Sequence, residues 1–222
     1  MTMGWKNGLA YVSSIIMKLA AINLLWLFFI VVGAVVFGVF PSTIAMFAVM
    51  RKWMKGNLGS SLIKEFWFFY KKEFWRTNGA GAGFVLIGYI LYVDLFIYQF
   101  GEDQQILQLL LYILSAFYCM AAAYFFPLYV HHEFKWYQYL KVAILTSFSA
   151  PFRGLLMLFL AYGIYFLMSK SPGLYLFFFG SGIAYLWLMI TLPTFQKLLN
   201  QNKKPRNKKT AIQGRMKWWS ET

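Results

Sequence analysis

A chain of 222 residues that is 60% hydrophobic, 22% aromatic and only 13% charged cannot cover its apolar surface with polar groups in water; soluble domains average about 25% charged residues. Its formal charge of +14 is distributed between and after long apolar runs. That placement argues against a nucleic-acid binder and for a membrane protein, whose cytoplasmic loops accumulate Lys and Arg. The lone Cys119, inside an apolar run, excludes a disulfide framework and a thiolate metal cluster. The first apolar run is too long for the core of a cleavable signal peptide and has no obvious cleavage site.

Residues 1–18 place Leu9, Val12, Ile15 and Ile16 at helical spacing, beside Trp5, Tyr11, Lys6 and Lys18. They predict either a short helix lying in the interface or an extension of the first span. Residues 19–40 carry no ionisable group and exceed the roughly 20 residues that cross a bilayer core, so they read as a transmembrane helix. Pro41 marks the helix break and suits the first turn of a new helix, beside Ser42 and Thr43. The apolar piece that follows ends in Arg51, Lys52, Trp53, Met54 and Lys55. It is too short to cross unaided. It belongs either to one bent span, with five crossings in all, or to a short sixth crossing that returns to the cytoplasmic side; the second satisfies the positive-inside tendency better.

Residues 56–78 read as an amphipathic cytoplasmic segment. Ile63, Trp67, Tyr70 and Phe74 share one face, and Lys64, Lys71 and Lys72 fall away from it. Ser60 or Ser61 is the expected N-cap. Such a helix suits either a membrane surface with anionic headgroups or a protein partner. Residues 79–100 form the next span, and Gly79 and Gly83 have the G-x-x-x-G spacing that permits close helix packing. These glycines lack the preceding strand and following Lys-Ser/Thr of a phosphate-cradling loop. Glu102 and Asp103 suit an outer loop. Residues 106–130 make the third long run, with Pro127 as a second expected break near its inner end. Residues 152–168 and 172–192 form a hairpin about Lys170, and a basic tail follows from Lys203 to Trp218 and Trp219. The tail either binds an anionic leaflet or simply fixes topology. In the six-crossing threading all 21 Lys and Arg residues except Lys170 fall on one side, and both termini are cytoplasmic.

The expected fold is therefore all-α: a polytopic transmembrane helix bundle of five long spans plus a short Pro41-led helix, in one domain over residues 1–200 with a tail over 201–222. Asp94 is the one carboxylate inside an apolar run, and an intramembrane acid suggests a proton or cation site unless interfacial water or a Tyr hydroxyl satisfies it. His131, His132 and Glu133 do not have metal-ligand spacing, since adjacent side chains on a helix point about 100° apart. No catalytic triad stands out. No cofactor, metal or enzymatic activity is expected.

Particular residues then look familiar. Asn23-Leu24-Leu25-Trp26, Pro41-Ser42-Thr43, Phe47-Ala48-Val49 and Arg51-Lys52-Trp53 together resemble the opening signature of the YesL-like family of bacterial membrane proteins. Phe66 to Asn78 with the following glycines fits the same pattern, as do Phe126-Pro127-Leu128 with Phe134, and Leu140-Lys141-Val142-Ala143. His131-His132 departs from it, since relatives more often carry an Ala-Arg pair. The resemblance implies an integral membrane protein often encoded beside carbohydrate uptake and polysaccharide degradation genes, and it brings no catalytic or ligand residues with it. The expected role is an auxiliary component of ABC-type carbohydrate uptake in the cell membrane. It would contact transporter subunits or lipid through Arg51, Lys52, Trp53, Lys71, Lys72 and Arg76. The alternative is a small secondary transporter using Asp94.

Overall fold

The computed structural model describes residues 3–98, 101, 104–131 and 136–192. Seven α-helices account for most of these: α1 (Met3–Val32), α2 (Val39–Met54), α3 (Leu62–Tyr92), α4 (Gln105–His131), α5 (Trp136–Ser149), α6 (Pro151–Ser169) and α7 (Pro172–Leu192). A π-helical turn, Val93–Ile97, continues α3. Among the described residues, five helices are long and apolar enough to cross a membrane: Gly8–Val32, Leu62–Ile97, Gln105–His131, Pro151–Ser169 and Pro172–Leu192. The fold is a polytopic helix bundle. Residues 1–188 form one compact unit; of the second, 189–222, only the end of α7 is described.

α2 is the centre of the packing. At 16 residues it is about 24 Å long, shorter than a bilayer core of about 30 Å. Yet every residue from Pro41 to Met50 is buried, whereas the long helices leave many large apolar side chains exposed, as lipid-facing helices do. Ile44 joins Ala80 and Phe84 of α3, Ala121, Phe125 and Tyr129 of α4, and Tyr139 and Ala143 of α5 in one core cluster. α2 runs antiparallel to α3, with Lys52 paired to Glu65 near one end and Phe40 against Gly81 near the other. α5 runs antiparallel to α4, with Tyr139 on Tyr129 and Phe148 on Phe117.

Four expectations change. The break before α2 is not at Pro41: α1 ends at Val32, and the chain reverses through Gly33 to Gly38, with Ala34 (φ 54°) and Val35 (φ 62°) left-handed. Gly33 and Gly38 are needed because a Cβ on either would collide with backbone of Gly38 or Ile30. Pro41 sits inside the first turn of α2, where it costs no helix bond. Pro127 does not end α4, which continues to His131; so close to the helix end, its missing N–H frees one carbonyl and no more.

Third, residues 62–78 are not a separate surface helix. They are continuous with the span after them, with Ser61 as N-cap accepting from the Lys64 N–H at 3.4 Å. The buried face of that stretch is Phe66, Tyr70 and Thr77, while Ile63 and Trp67 are largely exposed. Finally, Gly79 and Gly83 do not make the close approach: nothing stands within 4 Å of a Cβ at Gly79, and Gly83 meets only Leu140 at 3.9 Å. That role falls to Gly81, under the Phe40 ring, and Gly88, under the Tyr118 hydroxyl. At the other end of the chain, α1 begins at Met3, so the first residues extend the first span.

Candidate functional site

Two groups of polar residues stand out in this apolar bundle, and they differ in character. The first lies between α1, α2 and α7. Asn23 is buried; its amide donates to the Leu176 carbonyl at 2.7 Å and accepts from the Ser181 N–H at 2.9 Å. Trp26 Nε1 donates to Thr43 Oγ1 at 3.1 Å, and Thr43 donates in turn to the Val39 carbonyl at 2.7 Å. Gly180 lets α7 close on Asn23 and Trp26. The motif residues Asn23, Trp26 and Thr43 are thus helix clamps.

The second group lines a cavity of about 680 Å³ between α2, α3, α4 and α5. α2 supplies Arg51 and Lys52, and Lys55 follows at its C-cap, where cations complement the helix dipole. α3 supplies Phe69, Lys72, Glu73 and Arg76, whose spacing places them on one stripe of the helix. Tyr129, Val130 and His131 come from the end of α4, and Tyr139 from α5. Ile44 and Ala48 complete an apolar side.

Within it, Arg51 donates to the Val130 carbonyl, one of those that the end of α4 leaves without a helical partner. Arg51 Nε is buried with no hydrogen-bond partner among the described residues. Glu73 accepts from the Tyr129 hydroxyl at 2.7 Å, and Lys72 and Arg76 flank it at 3.9 Å each. The Arg76 guanidinium lies 5.5 Å from the Tyr139 ring centre and 5.9 Å from that of Tyr129, and these two rings stack at 4.2 Å. Lys52 is neutralised by Glu65 at 2.8 Å and rests over Phe69. Burial, and then the neighbouring Arg51 charge, push the Lys55 ammonium below its ordinary pKa. Among the described lining residues, five cations accompany one carboxylate.

Of the residues singled out in the sequence, Arg51, Lys52, Lys72 and Arg76 meet in this cavity. Lys71 is exposed and outside the lining, and Trp53 turns instead to Tyr185 and Lys18. Lys55, Glu73, Tyr129 and Tyr139 were not singled out for this site; the i, i+3, i+4, i+7 run of Phe69, Lys72, Glu73 and Arg76 was the signal for the α3 wall. Asp94 sits half-buried in the π turn, outside the cavity lining and without a hydrogen bond or ion pair to a described residue. His131 Nδ1–H donates to the Pro127 carbonyl at 2.8 Å. No group of three His, Cys, Asp or Glu residues able to hold a metal occurs among the described residues. His132, Glu133, Glu102, Asp103 and the basic tail lie outside the described residues.

Residues 19–95, which carry the α2 and α3 walls of the cavity and Asn23, Trp26 and Thr43 of the clamp, match the family described as protein of unknown function, DUF624. The uncharacterized protein YteU of Bacillus subtilis is 39% identical over 194 residues, 87% of either chain. The chain belongs to the YesL-like DUF624 family. YesL of the same organism is itself 32% identical over 205 residues, covering 92% of this chain and 96% of its own, and YesV is 32% identical over 184 residues. No solved structure matches the chain. The Tyr129 and Tyr139 side of the cavity lies beyond the segment matched to DUF624, although the likeness to YteU and YesL extends over most of the chain.

Proposed function

We propose that this DUF624 protein is a non-enzymatic accessory component of a carbohydrate importer in the cell membrane. It recruits the importer at its cationic end, through the segment from Arg51 to Arg76. The observation that supports this reading is the gathering of Arg51, Lys52, Lys55, Lys72 and Arg76 from two helices at one end of the bundle. The positive-inside tendency assigns that end to the cytoplasm, where anionic headgroups and the soluble subunits of an importer are available. The carbohydrate association itself comes from the resemblance to the YesL-like family. What supports a non-catalytic role is that Glu73, the carboxylate among the described lining residues, is tied to a Tyr hydroxyl.

Cross-linking and mild-detergent purification from native membranes test the reading. Transporter subunits should accompany the wild-type protein and be depleted when Lys52, Lys71 and Lys72 are reversed to Glu together. Purification without any transporter subunit contradicts it. A stand-alone transporter is favoured by one observation, the π turn around Asp94, a distortion frequent at functional sites. Solute uptake by the purified protein in vesicles, abolished by Asp94→Asn, would establish that alternative.

A further inference from the structure

We propose that the cavity between α2, α3, α4 and α5 is a binding site for a phosphate group carried by an organic ligand. It rests on the previous reading only in taking the cationic end as the working end. Three of the lining cations, Arg51, Lys55 and Lys72, converge on one space, with Glu73 the carboxylate beside them among the described lining residues. The other two are already engaged: Lys52 pairs with Glu65 outside the cavity lining, and Arg76 lies beside Glu73 and over the Tyr129 and Tyr139 rings. Glu73 in turn is engaged by the Tyr129 hydroxyl at 2.7 Å, closer than either cation beside it.

Gathering like charges at the edge of an apolar bundle is costly unless an anion completes the site. A dianionic phosphate with three acceptor oxygens matches this set better than a single carboxylate, because a guanidinium fork and several ammonium donors can each take an oxygen. Arg51 Nε, buried and without a partner among the described residues, is a donor still to be satisfied.

The size and walls define the rest of the ligand. A volume of about 680 Å³ is far more than a bare phosphate needs and lies in the roughly 300–1,000 Å³ range of small-molecule sites. Ile44, Ala48, Phe69 and Tyr139 also line the cavity, the two rings beneath Lys52 and Arg76, and give it apolar surface for a carbon-bearing body. Both a soluble phosphate ester and the headgroup of an anionic phospholipid have this chemistry.

The test uses the full chain in nanodiscs and separates the two sources. In phosphatidylcholine discs, glycerol 3-phosphate is titrated against sodium chloride of equal ionic strength, with the unfolding temperature and the ³¹P line width of the probe as readouts. In parallel, phosphatidylcholine discs are compared with discs containing phosphatidylglycerol. Stabilisation and line broadening by glycerol 3-phosphate identify a soluble ester; stabilisation by phosphatidylglycerol alone identifies a headgroup. In either case Lys55→Gln/Lys72→Gln should weaken the effect at least tenfold, while Lys170→Gln, in the turn between α6 and α7, retains it. No response of the folded wild type to either probe, or an equal response to sodium chloride, overturns the proposal. So does an unchanged response in the double variant. Because no partner protein is present, failure here is distinct from failure to co-purify with an importer.

Discussion

The clamp at Asn23 and the cavity at Arg51 draw on the same stretch of sequence and treat polar groups in opposite ways. In the clamp, Asn23, Trp26 and Thr43 each find a partner across or along the helices, so burial is offset and α7 is fixed to α1. In the cavity, Arg51 keeps a buried Nε without a partner among the described residues, and burial and the Arg51 charge lower the Lys55 pKa. The clamp uses its polar groups to tie helices together, whereas the cavity gathers cations around an open space and holds a buried donor without a partner among the described residues. Clamp residues should therefore govern stability, and cavity residues should govern binding.

The largest effect is expected at the clamp. Asn23→Leu removes the partner of both the Leu176 carbonyl and the Ser181 N–H, at about 1–3 kcal/mol for each buried group left unpaired. A denaturation series in detergent should show that loss, with phosphate binding at the cavity unchanged. Gly38→Ala comes next: its Cβ meets the Ile30 backbone, and overpacking of this kind costs about 1–3 kcal/mol. Gly79→Ala, by contrast, enters open space in a helix and should stabilise by about 0.5–1 kcal/mol in the same assay.

The cavity variants should move stability less than Asn23→Leu does. Tyr129→Phe removes the hydrogen bond to Glu73 and should cost about 1–2 kcal/mol. It also lets Glu73 close on Lys72 and Arg76 from 3.9 Å, so affinity for a phosphate probe should fall in parallel titrations. The smallest effect is expected at Asp94. Asp94→Asn should leave both unfolding and importer co-purification unchanged, and loss of either would move the working centre from the cavity to the π turn.

Much of this arrangement was legible in the sequence, and the gaps have physical causes. Apolar runs of spanning length identify the long helices by themselves, and Ser60 or Ser61 announces the start of α3 by capping chemistry, Ser61 being the one used. Arg51, Lys52, Lys72 and Arg76 could be singled out as a cationic group from charge and position. That they surround a cavity depends on α4 and α5 bringing Tyr129 and Tyr139 against them, a tertiary fact with no local signal. The reversal at Gly33 to Gly38 was hidden because lipid-facing turn and helix share the same apolar composition, so the more conspicuous Pro41 drew the boundary. The glycines misled for a related reason: spacing identifies where two backbones can approach, and only the neighbouring helix decides that Gly81 and Gly88, rather than Gly79 and Gly83, are used.

The account depends most on the cationic end facing one side of the membrane while the turn at Lys170 faces the other. Single cysteines at Lys55, Lys71 and Lys170, each in a Cys119→Ser background, can be labelled in intact cells and in inverted vesicles with a membrane-impermeant maleimide. Positions 55 and 71 should react only in inverted vesicles and position 170 only in intact cells. Labelling of positions 55 and 170 from the same side would contradict the account.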